Sequence, residues 1–133
     1  MKRSTFLLCA ALIALAVGSF ALLAPATLLA SKGITSAAAN VWVQEVSIFL
    51  IASSVTVFLV RRHSDSPTLK AVLIGNLFVQ IGLFAAEVLA FIAGTIPLLS
   101  GIVGNSVVHV LLATGFGYYA PTMHEANAHR TKP

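Results

Sequence analysis

LKAVLIGNLFVQIGLFAAEVLAFIA, residues 69–93, decides what kind of chain this is. Beyond Lys70 at its start, the strongly polar side chains in it are Asn76, Gln80 and Glu87. A helix rises about 1.5 Å per residue, so this segment reaches across the ~30 Å hydrocarbon core of a bilayer. At about 100° per residue the three polar side chains fall within roughly 40° of one another. The segment reads as a membrane-length apolar rod with one polar seam.

The rest of the 133-residue chain is of the same kind. It is 58% hydrophobic and 9% charged, with a mean hydropathy of +0.95. A soluble domain carries roughly 25% charged residues because its surface must be wetted, so the solvent for most of this chain is lipid. Four segments of membrane length are expected, at about 5–24, 41–60, 69–93 and 98–119. The fold class that follows is all-α, an integral membrane four-helix bundle with up-down antiparallel order, and residues 1–133 form a single membrane domain.

The first segment has a rival reading. Lys2-Arg3 followed by an apolar run, with Ser19-Phe20-Ala21 placing small residues at the two positions a signal peptidase prefers, is also the pattern of a cleaved signal peptide. The run exceeds the 7 to 15 residues of a typical signal core and continues past that site, which favours a retained helix. Ala10, Ala14 and Gly18 make a smooth stripe on it, suited to close helix contact, although small residues are common in any membrane helix. Pro25 disfavours helical geometry at Ala24 and should end or kink the helix there.

Residues 26–40 read as a loop, with Trp42 marking the return to the bilayer. In Ser64-Asp65-Ser66-Pro67, Ser66 is a candidate N-cap and Pro67 a first helical residue. Pro97 is expected in the first turn of the fourth span, and residues 121–133 as a mobile tail.

Charge placement orients the spans. Lys2 and Arg3, then Arg61, Arg62 and Lys70, then Arg130 and Lys132, all fall on one side of a four-span chain, whereas the first loop has only Lys32. Basic residues concentrate on the cytoplasmic side, so both termini and the second loop are expected there. The net charge of +4 thus speaks of topology and the headgroups of the lipid bilayer, and nucleic acid is not an expected partner. A single cysteine, Cys9, excludes an intrachain disulfide and a CxxC pair, and is expected to pack as an apolar side chain.

Short connections make consecutive helices antiparallel, and the register then brings Glu45, Glu87, Asn105 and His109 together in the outer half of the membrane. Gln80 and Asn76 continue the seam toward the cytoplasmic side as helix-to-helix hydrogen bonds. Glu87 is the hardest to regard as scaffold, since an ionisable group at a helix centre costs roughly 2.5–3.5 kcal/mol on insertion scales. His109 could shuttle protons, ligate a metal or meet a quinone oxygen, or be a core histidine with satisfied bonds. Glu45, about 6 Å from the outer boundary at ~1.5 Å per residue, reads by its depth as a solvated interfacial carboxylate rather than a member of the site. His124, Glu125 and His129 in the tail lack metal-site spacing, and no metal or catalytic residue is assigned. There is no phosphate-binding glycine loop, zinc motif or serine triad.

Arg61-Arg62, Gly75-Asn76, Glu87, Gly94, His109 and the Gly115-Phe116-Gly117-Tyr118-Tyr119 ending follow one another in an order that resembles the DoxX-like group of small bacterial four-helix membrane proteins. The resemblance covers roughly residues 40–120. It implies a multi-pass protein of the bacterial inner membrane, and some members of that group are small subunits of quinone-linked oxidoreductases. Small multidrug transporters are less similar, because their essential glutamate lies in the first helix, which has no acidic residue here.

The expected function is a non-enzymatic ligand-binding or accessory subunit whose polar cluster, Glu87, Asn105 and His109, holds a lipid-soluble ligand such as a quinone or contacts a partner subunit. No resident cofactor is called for. The alternative is a homo-oligomeric proton-coupled transporter or channel with Glu87 and His109 as relay and Gln80 and Asn76 lining its continuation. A purely structural cluster is the third reading.

Overall fold

The computed structural model describes residues 1–123. They form five helices and, among the described residues, no strand: α1 (Arg3–Leu23), α2 (Pro25–Ser31), α3 (Ala37–Val60), α4 (Pro67–Ile92) and α5 (Ser100–Tyr119). All but the seven-residue α2 are long and apolar enough to cross a membrane. Their outward faces are apolar too: Phe49, Phe78, Leu89 and Ile92 are each more than half exposed. A water-soluble protein does not present that much contiguous apolar surface.

Local chemistry sets the helix ends. Pro25 closes α1 and takes the first position of α2, where its missing N–H costs nothing. Ser66 caps α4, its hydroxyl accepting from Leu69 N at 3.1 Å, with Pro67 next. Ser36 caps α3 in the same way, so that helix begins at Ala37, four residues before the expected Val41.

Helix α1 packs along α3, and α4 along α5. The small-residue stripe of α1 faces α3: a Cβ on Gly18 would come within 2.9 Å of Ile51 and 3.3 Å of the Ser47 carbonyl. Close backbone approach of this kind is what small residues allow between helices in lipid. Ser54 Oγ donates to Ala11 O at 2.7 Å and Gln44 Nε2 to Leu22 O at 3.3 Å, so contacts run in opposite order along the two helices. By contrast α3 and α4, though consecutive, scarcely touch.

The dense core occupies one end. Phe6 and Leu7 of α1, Val57 of α3, Leu69 and Leu73 of α4, and Leu112 and Phe116 of α5 are all buried there. The Phe6 and Phe116 rings meet edge to face, centroids 5.1 Å apart. Connections converge on the same end: Arg3 pairs with Asp65 and donates to His63 O at 2.8 Å, and Tyr119 donates to Met1 O at 2.6 Å.

Four expectations need correction. Residues 26–40 are not simply a loop, since α2 runs through the first part of the stretch and packs on α3 as a strap. Pro97 precedes α5 rather than lying in its first turn, and its ring packs against Gly33, whose φ of +79° no side chain would favour. Cys9 is exposed on α1, since the packed face is taken by Phe6, Leu7, Ala10 and Ala11. The tail's first residues are held rather than mobile: Met123 is 5% exposed, with its sulfur 3.5 Å from Arg3 Nη1. His124, Glu125, His129, Arg130 and Lys132 lie outside the described residues.

Candidate functional site

Away from the dense end, the gap between α3 and α4 widens into a cavity of about 390 Å³. Small side chains on α4, Ala86 and Ala90, leave the room, and α2 closes one side with Leu28 and Leu29. Trp42, Val46 and Leu50 of α3 and Leu83 of α4 make the wall apolar. Into this wall are set four polar side chains: Lys32, Glu87, Asn105 and His109.

Lys32 is the C-cap residue of α2, and the strap lays it against α4, where its ammonium forms an ion pair with Glu87 Oε1. Each of the two side chains is only 13% exposed. Desolvating a carboxylate is costly without a partner, and Lys32 supplies one. The strap is held by contact with α5: a Cβ on Gly101 would lie 2.4 Å from the Ser31 carbonyl, so only glycine admits it there. The second carboxylate oxygen, Glu87 Oε2, is buried without a hydrogen bond, and so is Ser106 Oγ. Buried polar atoms without partners are uncommon in folded proteins.

His109 is satisfied on both sides of its ring. Nδ1 lies 2.7 Å from Gln80 Oε1 and Nε2 lies 3.0 Å from Asn105 Nδ2. An amide oxygen can only accept and an amide nitrogen only donate, so Nδ1 carries the proton and Nε2 accepts. The geometry therefore fits a neutral imidazole of defined tautomer. Gln80 and His109 are 5% and 8% exposed, which makes this α4–α5 pair the most buried hydrogen bond between side chains among the described residues.

The expected seam is thus divided differently. Glu87, Asn105 and His109 border one cavity. Gln80 makes a helix-to-helix bond, as expected, and its partner is His109 on α5. Asn76 lies deeper toward the dense end, accepting from Ser53 Oγ at 2.9 Å and donating to Val72 O at 2.9 Å. It bridges α3 and α4 and has both amide groups occupied. Glu45 does not join the cluster: it is exposed on α3 and absent from the cavity wall, about 100° round the helix from Val46. No group of three metal-ligating side chains exists among the described residues.

Lys32 is the residue the sequence reading missed. It was counted as the one basic residue on the side opposite all the others, and that isolation was itself the signal. A carboxylate buried among apolar helices is costly until a cation meets it, and Lys32 is the cation that does. Trp42, taken as an interfacial marker, also proves to be part of the cavity wall.

Comparison of the chain with models of protein families, with curated proteins and with solved structures finds no match.

Proposed function

We propose that the chain is a multi-pass membrane protein, an up-down antiparallel four-helix bundle, that binds a lipid-soluble ligand in the cavity between α3 and α4. The observation that carries this is the cavity itself: about 390 Å³, apolar over most of its wall, with Lys32, Glu87, Asn105 and His109 in it. Small-molecule sites combine ~300–1,000 Å³ of mostly apolar volume with a few placed polar groups. A ligand with an apolar body and a polar head, of which a quinone is one class, fits that division. The role that follows from such a site is that of a binding module or accessory subunit. The resemblance to the DoxX-like group supports the same reading, with a bacterial inner membrane as its location. The N-terminus and the α3–α4 connection share one end with Arg3, Arg61 and Arg62, which supports placing that end in the cytoplasm.

Trp42, the chain's one tryptophan, reports on occupancy. Titrating the detergent-purified protein with a short-chain benzoquinone should quench its fluorescence saturably, and Leu83→Trp, measured by mass spectrometry of molecules that co-purify from native membranes, should empty the site. A folded wild-type protein that carries no lipid-soluble molecule and shows no saturable quench would sink the proposal.

One observation favours the second reading, an oligomeric proton-coupled transporter or channel. A void of about 30 Å³ bounded by Gln80, Asn105 and His109, and one of about 10 Å³ bounded by Ser53, Asn76 and Gln80, continue from the cavity toward the dense end. The larger is big enough for a water molecule and the smaller is at the limit. If Glu87 and His109 relay protons, flux in proteoliposomes falls in Glu87→Gln and His109→Ala, and equal flux in all three proteins rejects the relay.

A further inference from the structure

At the dense end, on the opposite side of the molecule from the ligand cavity, the start of α1 and the α3–α4 connection enclose a second cleft of about 340 Å³. Its wall consists of Arg3, Ser4, Arg61, Arg62 and His63. Every one of these side chains can donate a hydrogen bond, and none is acidic. Two of the three guanidinium groups are already positioned. Arg61 lies 3.6 Å over the Phe58 ring and also donates to the Phe58 carbonyl. Arg3 is held by Asp65 and by the His63 carbonyl. Arg62, in contrast, forms no hydrogen bond or ion pair with a described residue.

Among the described residues the charge does not balance: three guanidinium groups meet one carboxylate, Asp65, while Glu45 and Glu87 belong to the far half of α3 and α4. Arginine presents a planar fork of donors that matches the oxygens of a phosphate, and a fork fixed before binding loses less freedom when it binds. Positive-inside residues alone need not gather in one place: Lys2 and Lys70, at the same end, do not line this cleft. Here the arginines line one open depression with a hydroxyl, Ser4, at its edge.

We propose that this cleft is a phosphate-binding site, and that its occupant is the phosphodiester headgroup of an anionic lipid or a free phosphate group. The site sits at the ends of membrane-length helices, where headgroups lie, and basic pockets between helices on that side hold such headgroups. It does not depend on what fills the cavity between α3 and α4.

Native mass spectrometry of the full chain in detergent, titrated with phosphatidylglycerol or phosphatidylcholine, tests it. The expected result is one saturable phosphatidylglycerol adduct, favoured over phosphatidylcholine by about tenfold or more. The double variant Arg61→Lys and Arg62→Lys keeps the charge but removes the forks, and should abolish most of that preference. Lys2→Gln with Lys70→Gln removes charge outside the cleft and should change it less than about twofold. Inorganic phosphate that displaces the lipid at millimolar concentration assigns the site to free phosphate, and failure to displace assigns it to the headgroup. Equal binding of the two lipids, or a loss in the lysine variant as large as in the arginine variant, overturns the site.

Discussion

The two ends of the molecule are built on opposite terms. At one, Phe6, Leu7, Leu69, Leu73 and Phe116 interlock with less than a tenth of any of them exposed. At the other, the same four long helices part around a cavity of about 390 Å³, and polar groups replace apolar contacts. Among the described residues each end carries one ion pair. Arg3 and Asp65 lie at the rim, 23% and 35% exposed, whereas Lys32 and Glu87 lie against the cavity wall at 13% each. In lipid, packing rather than water exclusion drives helices together, so a stretch of helix left unpacked is stability forgone. The dense end holds the bundle, and that frees the other end to stay open.

The ion pairs offer the sharpest way to break this contrast. Lys32→Met leaves Glu87 buried without its partner and should cost about 3 kcal/mol, near the low end for breaking a buried pair. Arg3→Gln at the rim should cost about 1 kcal/mol or less, because exposed pairs are screened by water. Unfolding in mixed micelles with increasing dodecyl sulfate measures both, and equal losses would mean that the two ends do not differ electrostatically.

Packing gives a middle-sized contrast. Phe116→Ala should cost roughly 3 kcal/mol through the hole it leaves in the dense end. Leu83→Ala, whose side chain already borders open volume, should cost under about 1 kcal/mol by the same dependence on new cavity volume. The same denaturation series decides it, and a costlier Leu83→Ala would show that the cavity wall is as tightly packed as the core.

The smallest effect concerns the boundary between the two regions. Asn76→Leu removes the bridge from α4 to Ser53 and should cost only about 0.6 kcal/mol, the usual worth of a side-chain hydrogen bond between membrane helices. A loss several times larger, read in the same assay, would make Asn76 a keystone rather than helix glue.

Much of the architecture was legible in advance. Apolar runs of membrane length located α1, α3, α4 and α5, and the Ser66-Pro67 and Pro25 signals located their ends, because these depend on nearest neighbours along the chain. Glu87, Asn105 and His109 were also placed close together, since a short connection fixes the register of two antiparallel helices. Helix rotation was not legible. Four rods that are apolar all round give no moment to say which face turns inward, and that is why Glu45 was grouped with residues it does not meet.

The partner of Glu87 was out of reach for a different reason. Lys32 arrives on α2, a seven-residue helix in a stretch read as a loop, and its contact with α4 spans most of the chain's middle. The close fit of Ser31 against Gly101 that seats the strap is a fact of three dimensions, with no local sequence signature beyond a glycine.

What the sequence by itself determined was the presence of four helices long and apolar enough to cross a membrane, because hydropathy and length act residue by residue. It also determined that a few costly polar groups had to find one another inside an apolar assembly. Only the tertiary structure decided which ones did. Whether a side chain meets a partner, a cavity or lipid depends on helix rotation and on the strap's path. Both are set by the summed packing of distant segments, which no local pattern encodes.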